Sequence, residues 1–476
     1  MPNDTGVTMK LRKYISLFLL IALLFALTTP ALATEDDDSY LDDGIFNSPI
    51  GSALLVETTT GTVLYEKDAD EVRYPASLTK IMTCMLVLEH GNLDEVITVS
   101  ETALAGMEMG SSIGEKHLLV GEQHLLKDMI YLMMLESANE VCIALAEYVA
   151  GDVDSFVALM NQRAQELGCT NTHFANPHGL HDEDHYTTAN DLRKIVEKAL
   201  ENEDFRIITN TSSYELPASN LQEGRTLYST NQLINKDMGS NYFYYSKASG
   251  VKTGFTTPAG RCLITTATND NLNLLSIILK AETMPDENGN WVYRSFPETI
   301  NLCEWGFENY RISTVMSTLY PVAEIPVNMA AGAEAVALAP VQEVRTLIEA
   351  NYNKDDIILD ITLHADSVDA PVEAGQVLGE VTVSYKGEIL GSSELAAITT
   401  VARSEVSRKA NDSAKYVAAN WWKWLLGILL TIAVIIIICL ILLQYYRRQQ
   451  RKRKVAARRR ALELQRRRRE WKLPED

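Results

Sequence analysis

Ser77 and Lys80 stand three residues apart in the segment Tyr74-Pro75-Ala76-Ser77-Leu78-Thr79-Lys80. On a helix, positions i and i+3 share a face about 5–6 Å apart at Cβ, so the Lys80 amine can reach the Ser77 hydroxyl. That is a nucleophile beside its base. Two later fragments carry side chains of the kind such a pair needs. Ser137 and Asn139 lie in Leu135-Glu136-Ser137-Ala138-Asn139, after one apolar helix and before another, and Lys252 lies in Gly250-Val251-Lys252-Thr253-Gly254-Phe255. Each fragment alone has a plain structural reading: a helix N-cap with a solvated lysine, a polar turn, and a strand end with an exposed lysine. Their weight comes from occurring together.

The elements that must position these residues are legible from pattern. Pro75, followed by apolar Ile81, Met82, Met85, Leu86 and Leu88 and then Gly91, predicts a helix with Ser77 in its first turn, where backbone N–H groups face any developing negative charge. Residues 52–56, a Thr-Gly turn at 58–61 and residues 62–65 read as a hairpin. Helical periodicity dominates 80–149, with Leu125, Met129, Leu132 and Met133 on one face. Strands return at 262–268 and 272–279 around the turn Asn269-Asp270-Asn271. This order predicts an α+β domain over 45–310, an antiparallel sheet flanked by helices, whose first and last strands meet. Short alternating runs at 357–363 and 377–385, separated by Pro371, Gly375 and Gly387, predict a small all-β domain over 318–405.

The two ends of the chain speak to topology. Lys10, Arg12 and Lys13, the apolar run 15–27 and Ala31-Leu32-Ala33 read as a signal peptide over 1–33, with the mature chain starting near Thr34. Residues 406–423 read as a linker, or stalk. Residues 424–443 carry no charge and, at 1.5 Å per residue, span about 30 Å, enough to cross a bilayer once. Trp421, Trp422 and Trp424 on one flank and Tyr445 and Tyr446 on the other form interfacial belts. The tail, 444–476, is basic; from 447 on it holds 14 Lys and Arg against 4 Asp and Glu, and the positive-inside rule places it in the cytoplasm. The expectation is a single-pass cell-membrane protein with its large domain outside. The whole chain has net charge −20, and the exterior without leader and tail is at −32, which argues against nucleic acid as a partner. Anionic lipid and topology account for the basic tail.

Of six cysteines, Cys439 falls in the membrane helix, and Cys84, Cys142, Cys169, Cys262 and Cys303 show no close spacing; they read as small core residues. His178, His181 and His185, interleaved with Asp182, Glu183 and Asp184, could suggest a metal, but no HExxH helix or cysteine pair accompanies them, so no metal and no cofactor is expected.

Ser77/Lys80, Ser137/Asn139 and Lys252-Thr253-Gly254, in this order, resemble the motif set of active-site serine penicillin-binding proteins and class A β-lactamases. The surrounding text is similar to the low-molecular-mass penicillin-binding proteins, the serine-type D-alanyl-D-alanine carboxypeptidases. Matching stretches include 61–65, 156–168, Asn176-Pro177-His178-Gly179-Leu180 and 250–260, and Ala370-Pro371-Val372 with 375–379 resemble that family's β-rich C-terminal domain. The resemblance implies a β-lactamase/transpeptidase-like catalytic domain that takes the terminal D-alanine from peptidoglycan stem pentapeptides through a Ser77 acyl-enzyme, and that β-lactams acylate. It implies Lys80 as base, its pKa lowered by a neighbouring Lys252. Ser137 would relay the proton, Asn139 would hold the substrate backbone, and Lys252 and Thr253 would bind the terminal carboxylate. Backbone N–H groups of Ser77 and Phe255, beside Gly254, would form the oxyanion hole. Arg261 and Arg294 are further carboxylate binders between which the sequence does not choose. Glu140 stands where the family usually has Asp, and reads as an acid at a helix N-terminus. The competing readings are a transpeptidase, a β-lactamase and a non-enzymatic β-lactam sensor. The second lacks a Glu-x-x-Leu-Asn segment between Asn139 and Lys252, and the third lacks a reporting domain in its short basic tail.

Overall fold

The computed structural model of the chain describes residues 44–105, 117–236, 243–269, 271–286 and 288–470. The signal peptide predicted over 1–33 and Asp270 of the predicted turn lie outside the described residues. The chain divides into two compact units, one running to residue 313 and including 347–352, the other comprising 314–346 and 353 onward.

The first unit is built on a five-stranded sheet. Its strands are β1 (Ile50–Glu57), β2 (Thr62–Lys67), β3 (Ala248–Thr256), β4 (Gly260–Thr268) and β5 (Asn273–Ala281). They lie in the order β2-β1-β5-β4-β3, with every neighbouring pair antiparallel. The N-terminal hairpin therefore meets the late strands in one sheet, as the pattern predicted. The unbroken apolar run at 53–56 follows from burial on both faces: Leu54 and Val56 enter one core, Ala53 and Leu55 the other. At 269–272 the Asn269 side chain accepts N–H bonds from Asn271 and Leu272 at 2.9 and 2.8 Å, an Asx turn that closes the β4–β5 hairpin.

One face of the sheet carries α1 (Lys80–His90), α2 (Leu126–Leu135), α3 (Asn139–Ala150), α4 (Val153–Glu166) and α5 (Ala189–Ala199). The other carries α6 (Ser295–Asn309), through Phe296, Leu302 and Cys303. The helical stretch expected over 80–149 is interrupted: Val96–Thr98 and Gln123–Leu125 pair as a short antiparallel ribbon. A further ribbon, β6 (Thr283–Pro285) with β7 (Trp291–Tyr293), follows β5. All five cysteines of this unit are reduced and buried, as small core residues.

The second unit is the predicted all-β domain. Its sheet contains β8 (Ala323–Asn328), β9 (Ala335–Pro340), β10 (Ile357–Leu363), β11 (Val368–Asp369), β12 (Val377–Tyr385) and β13 (Glu388–Ala397), in the order β10-β12-β13-β9-β8-β11. Alternation places Val381, Val383 and Leu395 in its core.

Helix α7 (Glu405–Glu470) follows. Its most apolar window has mean hydropathy 3.4, and none of that window is buried, which by length and composition suits a membrane anchor. The segment 406–423, read from composition as a linker or stalk, is part of this same helix.

Candidate active site

The turn that carries Ser77 is a single 3-10 stretch, Ala76–Thr79, from which α1 continues at Lys80. Ser77 thus precedes the α-helix proper and is not in its first turn. The tighter turn is anchored from below. Ala76 sits at φ +48°, and its carbonyl accepts the Thr79 hydroxyl at 2.8 Å. Thr79 Oγ1 is in turn 2.7 Å from His185 Nε2. The Ala175 N–H donates to His185 Nδ1 at 3.0 Å, so the ring proton is on Nε2 and is donated to Thr79. Burial lowers the His185 pKa to about 4, which keeps the ring neutral.

Lys80 is completely buried. Its Nζ is 3.0 Å from Ser77 Oγ, 2.7 Å from Asn139 Oδ1 and 2.7 Å from the His178 carbonyl oxygen. Burial lowers its pKa, while Cys142 and Glu140 act in the opposite sense. Lys252 is also buried, and donates to the Thr253 carbonyl at 3.2 Å. Its pKa is pushed well down, first by burial and then by the charge of Lys80. Loss of hydration is the first cause at both amines, and the repulsion between them disfavours charging both at once. Glu140 does occupy the first turn of α3, as expected of an N-terminal acid, but it is buried and within electrostatic reach of Lys80.

Ser137 adopts φ +62°, and its buried hydroxyl has no hydrogen-bond partner among the described residues. A non-glycine residue in the left-handed region costs of order 1–2 kcal/mol, and a buried unsatisfied hydroxyl adds to that cost. Strain and an orphaned hydroxyl at one position mark a group held for use. Ser77 and Ser137 both line a cavity of about 420 Å³, together with Thr230, Thr253, Gly254 and Phe255. Neither lysine reaches its surface, so both amines lie beneath the floor in dry surroundings. Thr253 Oγ1 is 2.7 Å from Thr230 Oγ1. The strand β3 that bears these residues is the edge of the sheet, which leaves alternate N–H groups free to face a ligand. It packs against the Ser77 turn so closely that a Cβ on Gly254 would lie 3.0 Å from the Pro75 carbonyl oxygen.

The three expected fragments thus converge on one cleft. Sequence reasoning missed two of its components. The loop 176–180 closes the floor: Asn176 Oδ1 accepts the Gly179 N–H at 2.7 Å, and Thr83 Oγ1 holds the Pro177 carbonyl at 2.6 Å. This loop delivers the His178 carbonyl to Lys80, and no side-chain signal could have revealed a backbone acceptor. Thr230 was also missed, since a lone threonine between turns carries no pattern. Of the two arginines, Arg261 lines the cleft, whereas Arg294 donates to the Pro285 carbonyl at 3.0 Å. The histidines considered for metal have other partners: His178 Nδ1 accepts the Leu180 N–H at 3.1 Å, and His181 packs edge-on against Tyr74.

Residues 47–283 match a family described as D-alanyl-D-alanine carboxypeptidase (peptidase S11), and residues 317–403 match one described as penicillin-binding protein 5, C-terminal domain. The chain is similar to the D-alanyl-D-alanine carboxypeptidase DacC of Escherichia coli (30% identity, covering 73% of this chain and 83% of the relative). It is similar also to DacF of Bacillus subtilis (29%, covering 80% and 92%). Penicillin-binding protein 5 from Haemophilus influenzae superposes with a TM-score of 0.52 at 25% identity, over 74% of this chain and 98% of that one.

Proposed function

Because this chain belongs to the D-alanyl-D-alanine carboxypeptidase family of serine peptidases, we propose that its cleft removes the terminal D-alanine of peptidoglycan stem pentapeptides through a Ser77 acyl-enzyme. The observation that carries the assignment of residues is the contact between a fully buried Lys80 amine and the Ser77 hydroxyl at 3.0 Å.

Neutral Lys80 takes the Ser77 proton as Oγ attacks the carbonyl of the penultimate D-alanine. The oxyanion is met by the N–H groups of Ser77 and Phe255, each worth roughly 2.7–4 kcal/mol on the precedent of serine proteases. Ser137, whose hydroxyl has no competing partner, passes the proton to the departing D-alanine amine as the C–N bond breaks. Asn139, fixed by its bond to Lys80, positions the substrate backbone, and Thr253 with the Lys252 amine behind it receives the terminal carboxylate. Water then attacks the ester and gives its proton to the same base, which returns it to Ser77 Oγ as the ester C–O bond breaks. A β-lactam carbonyl is attacked in the same way, which accounts for covalent penicillin binding. Helix α7 anchors the enzyme in the membrane, with the catalytic unit outside, facing the wall, and the basic tail inside.

The test is release of D-alanine by the full chain in detergent from a peptide ending in Lys-D-Ala-D-Ala. Release that vanishes in Ser77→Ala is expected. Stoichiometric penicillin labelling of Ser77 without any release would instead make the protein a sensor, and rapid penicillin turnover would make it a β-lactamase.

A further inference from the structure

Arg261 on β4 stands opposite Phe255 of β3 in the ladder. Its guanidinium lies between two rings, 3.8 Å from the Phe255 centroid and 3.6 Å from that of Tyr293. Nε reaches Thr283 Oγ1 at 3.3 Å, and the other polar neighbour is the Tyr293 side chain. Among the described residues no carboxylate pairs with it. With both faces covered by rings, the guanidinium offers its in-plane N–H edge, which is the geometry that takes a carboxylate in bidentate fashion.

Arg261 and Phe255 also form the wall between the catalytic cleft and a polar groove of about 670 Å³. Three more cations line that groove. Lys67 is tied to Asp68 at 3.0 Å, and Arg73 donates to the Gly51 carbonyl and to Ser52 Oγ at 3.0 and 3.2 Å. Lys280 has no ionic or hydrogen-bond partner for its side chain among the described residues. Arg73, Arg261 and Lys280 therefore line the groove without a carboxylate partner among the described residues, on a protein whose net charge is −20.

Position along the strand says what they meet, given the carboxypeptidase reading on which this inference rests. If the terminal carboxylate lies at Thr253 and the scissile carbonyl at Phe255, then a further step away from the leaving D-alanine passes Thr257 into the groove, and Arg261, level with Phe255 on the next strand, flanks that step. Two strand residues advance about 6.5 Å, the scale of one substrate residue and its side chain. The residue so placed is the one before D-Ala-D-Ala, the third of the stem. The geometry points to Arg261, with Lys280 also lining the groove, as the receptor for a free side-chain carboxylate on that third residue. The enzyme then prefers stem peptides whose diamino acid keeps such a carboxylate over those bearing an amine alone or an amide. Glu282, also lining the groove, suits the ammonium that shares a carbon with a carboxylate of that kind.

The experiment measures competition of three peptides with fluorescent penicillin for Ser77 on the full chain in detergent, a readout that needs no turnover. The peptides end in D-Ala-D-Ala and differ only in the third residue: diaminopimelate, its side-chain amide, or lysine. The wild type should bind the free carboxylate about tenfold more tightly than the amide, the scale of one charge-assisted hydrogen bond. In Arg261→Gln that ratio should fall to about one, and Arg261→Lys, which keeps the charge and loses the fork, should fall between. Penicillin labelling of each variant establishes that it is folded. A wild-type ratio near one would overturn the proposal, and so would a tenfold ratio that survives in Arg261→Gln. D-alanine release, followed in parallel, tests the carboxypeptidase reading separately.

Discussion

Gly179→Ala tests whether the loop 176–180 really holds the nucleophile in place. Gly179 has φ +89°, and a Cβ there would stand 1.9 Å from the Ala76 carbonyl oxygen and 2.9 Å from Thr79 Oγ1. Real Cβ contacts do not fall below 3.0 Å, so loop and turn must separate by about 1 Å. The left-handed backbone costs alanine about 1–2 kcal/mol, and overpacking adds about 1–3 kcal/mol. A net loss of about 2–5 kcal/mol lowers Tm by about 4–20 °C in a unit of this size. Ser77 follows Ala76 directly, and a displacement of about 1 Å in a reacting group costs about 10²-fold in rate. The assay is the rate of acylation by fluorescent penicillin beside thermal unfolding of the same sample. Gly168→Ala supplies the control: Gly168 also has positive φ, at +76°, but nothing lies within 4 Å of its Cβ position. It should lose stability through the backbone alone and keep its acylation rate. Acylation of Gly179→Ala at the wild-type rate with unchanged Tm would refute the reasoning.

Other outcomes follow from the same contacts. Lys80→Met should slow acylation of Ser77 by about 10²–10⁴-fold, the usual worth of a general base, measured by penicillin labelling over time. Ser137→Gly should raise stability by about 1 kcal/mol in thermal unfolding, because it relieves φ +62° and an unpartnered hydroxyl, while D-alanine release falls. The folded-state pKa values of His178 and His185, lowered to about 3 and about 4, lie below the ordinary 6.5. Below pH 6.5 the unfolded chain binds protons that the folded one refuses. Stability should therefore fall as pH drops from 6.5 toward 4, and His185→Gln should make the fall shallower in melting curves taken across that range. Acylation should rise with pH through the lowered Lys80 pKa, because only the neutral amine can accept the serine proton.

How much of this was legible in the sequence depended on where the information resides. The strands at 357–363 and 377–385 were read with the bounds they have, since a half-buried strand advertises itself by alternation. The convergence of Ser77, Ser137, Asn139 and Lys252 was legible because the chemistry requires those side chains. The ribbon at 96–98 and 123–125 was not, because three-residue strands carry too little pattern to interrupt a helical reading. The His178 carbonyl and the packing of Gly179 against Ala76 were invisible, because any residue supplies a carbonyl and close approach exists only in the folded chain. The helical form of the stalk at 406–423 was not legible from its polar composition. It continues a helix whose stability is set by its neighbours in the chain, and Ser, Asn and Asp at exposed positions cost it only a little.

The contacts of Lys80 also explain how one set of atoms serves both halves of a proton transfer. An ammonium donates three hydrogen bonds, and three acceptors surround Nζ: Asn139 Oδ1, the His178 carbonyl and Ser77 Oγ. A neutral amine donates two and accepts one. The first two partners, having no hydrogen to offer from those oxygens, must be the acceptors, which leaves the lone pair directed at the Ser77 O–H. Moving the proton from Ser77 to Lys80 therefore reverses one hydrogen bond and requires no heavy atom to shift. Such a site pays no reorganisation at the moment of reaction, which is the principal advantage of a prearranged polar environment. Burial supplies the other requirement by disfavouring the ammonium before the attack. Once the proton has arrived, the new charge stands beneath the cleft near a second amine at Lys252, and that repulsion favours handing the proton on to the departing group.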